Sequence, residues 1–196
     1  MSENTSQDRI LDAANAVFLE EGMMPLSLSD VAERAGVSRS LIYSHFPTQI
    51  ELMNGVLKNH IPILGAVSDA AESSNDHRTS LIQAALVYYD GLLSHGPTLS
   101  RAPNDSFLSG HVDNQFRFAA MTCLHRLARS AQNLFQLSPS EAVSSIIMLK
   151  ALPDEAAANA WRGDVDREVC RSSLRDIISQ AVDSMTVHEN VYPETN

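Results

Sequence analysis

The chain has 196 residues, 44% of them apolar, and a formal net charge of −10, which suits one or two small domains with an ordinary core. Two cysteines, Cys123 and Cys170, with no C-x-x-C pair exclude a disulfide framework and a cysteine-built zinc site. No apolar run approaches the roughly 20 residues of a membrane span, and the polar start MSENTSQDRI lacks the layout of a secretory leader, so a reduced cytoplasm is the expected location.

Residues 1–7 are polar and expected to be disordered. Ile10, Ala13, Ala14, Val17 and Phe18 recur at helical spacing and predict a first helix over 8–21, ended by Gly22. After a link through Pro25, Ser27 stands three residues before Asp30, the spacing of a capping box, and Val31, Ala32 and Ala35 mark one buried face of a second helix. Gly36 follows where the chain needs a positive φ, and Val37 is placed to plug the corner. Ser38 caps a third helix over 39–46 that turns Ile42 and Phe46 inward and Arg39, Ser40, Tyr43 and Ser44 outward. Helix, glycine turn, and a helix with a polar outer face make the helix-turn-helix plan, which lays its second helix in the DNA major groove. Thr48 and Glu51 form a second capping box that opens helix 4, whose first N–H groups offer a phosphate site. That helix is expected to reach at least His60, and Pro62 to end or kink it.

From residue 66 the chain continues as helices with short breaks. One covers 79–94, with Leu81, Ile82, Ala85, Leu86 and Tyr89 on its apolar side. The longest irregular stretch is 95–105, holding Gly96, Pro97 and Pro103, either a mobile lid or a connector; one helical turn is expected over 106–110. A long helix over 113–136 carries Phe116, Ala120, Met121, Leu124, Leu127, Ala128 and Leu134. Ser138-Pro139 opens the next, running towards 152, where Pro153 interrupts it before 156–161 continues. The last helix, over 164–185, puts Val169, Leu174, Ile177, Ile178, Ala181 and Met185 on one side, and 188–196 form a loose tail. No strand is predicted, so the fold class is all-α, with about nine helices. Two long apolar-faced helices at the end suit an intermolecular four-helix bundle. They equally suit completion of the chain's own core, and the pattern leaves both open.

The run Gly36-Val37-Ser38, Leu41-Ile42-Tyr43, His45-Phe46-Pro47 and Leu52 resembles the signature of the TetR family of bacterial repressors. The likeness covers about residues 9–60, and its specificity lies in Ile42-Tyr43-x-His45-Phe46-Pro47, since A-G-V-S alone is common among helix-turn-helix proteins. It implies an all-helical homodimer without a cofactor. Residues 1–60 would be a DNA-binding domain, with the motif at 27–46 and helix 4 from 48 as connector. Residues 61–187 would bind an effector and dimerise through the last two helices.

The resemblance also implies a site. Arg39 suits a guanine edge or a phosphate, because its forked guanidinium matches both. Ser40 and Leu41 fall in the family's base-contacting region, with Ser44 on the same outer face; Leu41 would touch a thymine methyl or pack inward. Tyr43 and His45 match positions that reach the phosphate backbone, and Thr48 and Ser29 have hydroxyls for the same task. Two departures stand out: Gln49 where lysine is common, and Ser29 where arginine is frequent. Both remove a cation facing DNA. Residues 1–60 hold eight acids and only four bases, Arg9, Arg34, Arg39 and Lys58, so long-range attraction to phosphates is expected to be weak.

None of the seven histidines pairs at H-x-x-x-H spacing, and no metal site is expected. No nucleophile elbow, glycine-rich phosphate loop or Cys/His cluster is present, which argues against an enzyme. The candidate effector-lining residues are Tyr89, Phe107, Phe116, Met121, Leu124, Met148 and Trp161, which suit a mainly apolar molecule or plain core. The expected function is a homodimeric transcriptional regulator, a repressor released from a pseudo-palindromic double-stranded operator by a small effector. The alternative is a helical small-molecule binding or interaction protein with a degenerate head. The sequence does not separate repressor from activator, nor name the effector or operator.

Overall fold

The computed structural model describes residues 5–187, so the expected loose tail at 188–196 and the first four residues lie outside the described residues. Ten α-helices and two 3-10 turns make up the described chain. It divides into two compact units: Met1–Pro62 with His95–Phe118, and Ile63–Ser94 with Ala119–Asn196.

The first unit is built on four helices, α1 (Ser6–Glu21), α2 (Leu28–Ala35), α3 (Arg39–His45) and α4 (Gln49–Lys58). Each starts at a hydroxyl side chain that accepts from an N–H of the first turn: Thr5, Ser27, Ser38 and Thr48. The first of these begins earlier than expected, because Thr5 and Asp8 form a full capping box. Ser27 and Thr48 accept from the third residue of their helices, and the N–H of Ser27 goes to the Glu21 carboxylate instead of Asp30. Ile10, Ala14, Val17, Phe18, Val31, Ile42, Leu52, Met53 and Leu57 are almost fully enclosed and form the core. Gly36, at φ 63°, lets the chain turn from α2 into α3 in a conformation that an L side chain adopts only at a cost.

Helix α4 stops at Lys58, short of the expected His60, and α5 (Ile61–Ala71) begins directly. Pro62 therefore neither ends nor kinks a helix. It lies in the first turn of α5, where its missing N–H has no intrahelical partner to lose. The stretch expected to be irregular is instead ordered, with α7 (Thr98–Arg101) and 3-10 turns at Ala102–Asn104 and Ser109–His111. Thr98, Leu99, Ala102 and Leu108 are buried in it. Its polar groups fasten it to the four helices: Asn15 to His95 and Thr98, Met24 to Asp105, and Asn54 to His111 and Asp113.

The second unit holds most of α5 and α6 (His77–His95), the greater part of α8 (Asn114–Phe135), and the two long helices α9 (Pro139–Arg162) and α10 (Arg167–Val187). Tyr89 Oη donates to the Arg167 carbonyl at 2.8 Å, and Arg171 forks onto both oxygens of Asp90 at 2.9 Å, so α6 and α10 are bonded side by side. Contrary to expectation, α9 runs unbroken through Pro153. A mid-helix proline costs about 3 kcal/mol. Here the step is bridged by Asp154, which accepts from Tyr88 Oη at 2.9 Å and from Lys150 Nζ at 2.5 Å, one turn earlier.

Candidate nucleic-acid interface

Helix α3 is only seven residues long and buries one of them, Ile42. Phe46 closes it from the C-terminal side, its N–H donating to the Ile42 carbonyl at 2.8 Å and its ring buried. With Ile42 and Phe46 turned in, the helical repeat sends Arg39, Ser40, Tyr43, Ser44 and His45 outward, and all five are exposed; Leu41 is half-buried at the edge. Ser29 on α2 and Thr48 before α4 are exposed as well. Ser44 Oγ is turned onto the Leu41 carbonyl at 2.8 Å, and Ser40 Oγ lies 3.3 Å from Ser38 Oγ. His45 Nε2 is 3.5 Å from Ser6 Oγ at the start of α1.

The four cations of the head are not equally available. Arg9 donates from Nη1 to the Ala35 carbonyl at 3.1 Å, closing the end of α2. Arg34 is ion-paired with Glu20, and Lys58 with Asp113 at 3.2 Å. Arg39 alone makes no hydrogen bond or ion pair among the described residues, and it stands exposed at the first position of α3. The pairing of the other three follows from the fold, not from any local sequence signal, since each partner sits on a different element of the unit.

Gln49 differs from its expected place. It is half-buried, and its amide is fully used: Oε1 accepts the Leu26 N–H at 2.7 Å and Nε2 donates to the Leu26 carbonyl at 3.1 Å. A neutral amide is the side chain that carries both a donor and an acceptor at that reach. No local pattern signals this contact, nor the bonds made by Asn15, Asn54 and Asp105.

The residues named for an effector do not form one lining. Tyr89 and Phe116 are buried and Leu124 half-buried, while Phe107, Met121, Met148 and Trp161 are exposed, Met148 by 67%. Met148 edges an open hollow on α9 with Leu137, Ser140, Ser144 and Ser145. The apolar stripe of the last helix is also rotated from its expected place: Cys170, Leu174, Ile178 and Val182 are buried, whereas Val169 and Ile177 are exposed by 55% and 50%. Helical spacing groups such residues on neighbouring faces without saying which face meets the chain's own core. Among the described residues no three His, Cys, Asp or Glu side chains stand close enough to hold a metal, and no helix is long and apolar enough to cross a membrane.

These features define a helix-turn-helix head on an all-helical chain. A family profile described as bacterial regulatory proteins, tetR family, matches residues 10–56. The transcriptional activator FasR of Mycolicibacterium smegmatis is 30% identical over 118 residues, 59% of this chain and 53% of that protein. The chain thus spans about half the length of that curated relative. The crystal structure of the TetR-family regulator PfmR from Thermus thermophilus shares the fold, with a TM-score of 0.68 at 18% identity over 88% of this chain and 98% of that one. So does FadR from Bacillus subtilis, solved in complex with stearoyl-CoA, with a TM-score of 0.61 at 16% identity over 87% and 96% of the two chains. Residues 10–56 thus match the helix-turn-helix region of that family, and the chain shares the all-helical fold of solved TetR-family regulators.

Proposed function

We propose that the protein is a cytoplasmic, homodimeric, DNA-binding transcriptional regulator whose hold on its operator is set by a small, mainly apolar effector. The observation that carries the reading is Arg39, an exposed and unpaired guanidinium at the start of α3, on the face that also presents Ser40, Tyr43, Ser44 and His45. In the major groove that guanidinium would fork onto a guanine edge. Leu41 would meet a thymine methyl, and Tyr43, His45, Ser29 and Thr48 would hold phosphates. The head, residues 1–60, would read DNA, and residues 61–187 would dimerise and hold the effector.

Dimerisation is supported by apolar side chains on the outside of the last two helices: Ile147, Met148 and Trp161 on α9, Val169 and Ile177 on α10. Pairing of these helices between two copies would bury such side chains. Two heads would then dock about 34–36 Å apart on a pseudo-palindromic site. The mainly apolar effector is supported by the FadR fold, which was solved with stearoyl-CoA. Release from the operator, hence repression, is the primary reading. The name of FasR, an activator, favours a second reading in which the bound regulator recruits transcription.

The test is operator affinity measured with and without compounds that bind the protein. An effector that prefers one head spacing must shift DNA affinity by its differential binding to the two states. If no compound that binds the body changes DNA affinity, the coupling is wrong; a reporter in a deletion strain decides between repression and activation.

A further inference from the structure

The link between α1 and α2, which delivers the chain into the helix-turn-helix, is held by side chains from three different places. The Met24 N–H donates to Asp105 Oδ2 at 3.1 Å, the Leu26 N–H to Gln49 Oε1 at 2.7 Å, and the Ser27 N–H to the Glu21 carboxylate at 3.3 Å. Pro25, between them, has no N–H to give. Of the three partners only Gln49 grips a residue at both ends, since it also donates to the Leu26 carbonyl at 3.1 Å. Leu26 is itself buried, 4% exposed, so its peptide groups have little water to fall back on.

Gln49 is the first residue of α4, directly after Thr48, and Leu26 is the residue before Ser27, which caps α2. This pair of hydrogen bonds therefore fixes the start of α4 against the start of α2, and so the spacing between Thr48 and Ser29. We infer that Gln49 is a positioning residue of the DNA interface, setting the distance between the two hydroxyl-bearing helix starts that flank α3. It acts in this way only if the head binds DNA as proposed above. The role matters more here than in a basic head. With one unpaired arginine or lysine among its described residues, the head gains little from non-specific phosphate attraction, and what remains is the match between a few fixed donors and the DNA.

Geometry makes the alternatives unequal. Lysine at this position would donate to the Leu26 carbonyl but has nothing to accept the Leu26 N–H; methionine would keep the length and lose both bonds. The experiment uses the full chain and a duplex that it selects from a random-sequence library, with a scrambled duplex as reference. Gln49→Met and Gln49→Lys are compared with the unsubstituted protein, reading the ratio of the two affinities, the salt slope, and hydrogen exchange at the Leu26 amide. The ratio is insensitive to the folded fraction, which lowers both affinities alike.

Both variants should speed Leu26 exchange and cut the ratio roughly tenfold, the scale of one misplaced hydrogen bond to the DNA. Gln49→Lys should do so even though it adds a cation. Unchanged Leu26 exchange, or an unchanged ratio, would overturn the role. So would a Gln49→Lys variant that binds the selected duplex more tightly with a steeper salt slope, the mark of direct phosphate contact at this position. If the unsubstituted protein selects no preferred sequence, the DNA-binding reading falls first and the role of Gln49 falls with it.

Discussion

Asn15 of α1 bonds to the chain 80 residues later: its Nδ2 donates to the His95 carbonyl at 2.8 Å, and its Oδ1 accepts the Thr98 hydroxyl at 2.6 Å. Thr98 is fully buried. Replacing Asn15 by Ala leaves a buried hydroxyl and a carbonyl without their partners, at about 1–3 kcal/mol. Thermal unfolding of Asn15→Ala should fall by several degrees, and Thr98→Val, which spares the carbonyl bond, by about half as much. Equal melting temperatures for all three proteins would mean the latch adds nothing to the fold.

His60 is 1% exposed, its Nδ1 lies 2.9 Å from the Val56 carbonyl, and its Nε2 has no partner. Burial holds its pKa below the usual 6.5, and the His95 ring, 5.4 Å away between centroids, pushes in the same direction. The unfolded chain therefore binds the proton first. The stability contributed by neutral His60 is complete above about pH 6.5 and is lost as pH falls towards the lowered value. Melting temperature should drop from about pH 7 to about pH 5 in the natural protein and less in His60→Gln. Parallel curves would show that other groups govern the acid limb.

Much of the head was legible because its signals are local. Caps at Ser27, Ser38 and Thr48, the glycine at 36, and the inward pair Ile42 and Phe46 all act within a few residues, and the structure has them where the sequence implies. The same local logic misjudged Pro62 and Pro153, since a proline is read as a breaker until its place in the helix is known. The bonds of Arg9, Arg34, Lys58 and Gln49 were not legible, because each joins residues distant in sequence. Nor was the orientation of α8 and α10: Met121, Val169 and Ile177 share spacing with core positions yet stand exposed.

Gly55 lets α4 approach the end of α3. A methyl there would lie 2.8 Å from Leu11 Cδ2 and 3.0 Å from Phe46 Cε1, so both side chains must move. Alanine gains about 1 kcal/mol in helix propensity, which offsets much of the crowding. Gly55→Ala should therefore keep its melting temperature within a few degrees while losing DNA affinity, because Phe46 sets the seat of α3. Unchanged affinity on the selected duplex would show that α3 does not depend on that seat.

If the last two helices pair between copies, Ile177, 50% exposed, loses that exposure in the dimer, a burial worth about 1 kcal/mol per copy, half the value for a fully exposed side chain. Ile177→Glu would force a charge into that surface. Light scattering should then report a monomer at concentrations where the natural protein is a dimer, with helical content retained by circular dichroism. A variant that stays dimeric would place the interface elsewhere.

The proposed DNA-reading head rests above all on Arg39 as its working cation. Fluorescence anisotropy on the self-selected duplex and on a scrambled one, over a salt series, puts this to the test, with Arg39→Ala beside the natural protein. The natural protein should show a preferred sequence and a shallow salt dependence, with a log–log slope no steeper than about −2, the value if the Arg39 of each of two heads also neutralised one phosphate, and Arg39→Ala should lose the preference. A slope of about −5 or steeper, or a variant that keeps its preference, would contradict that role for Arg39.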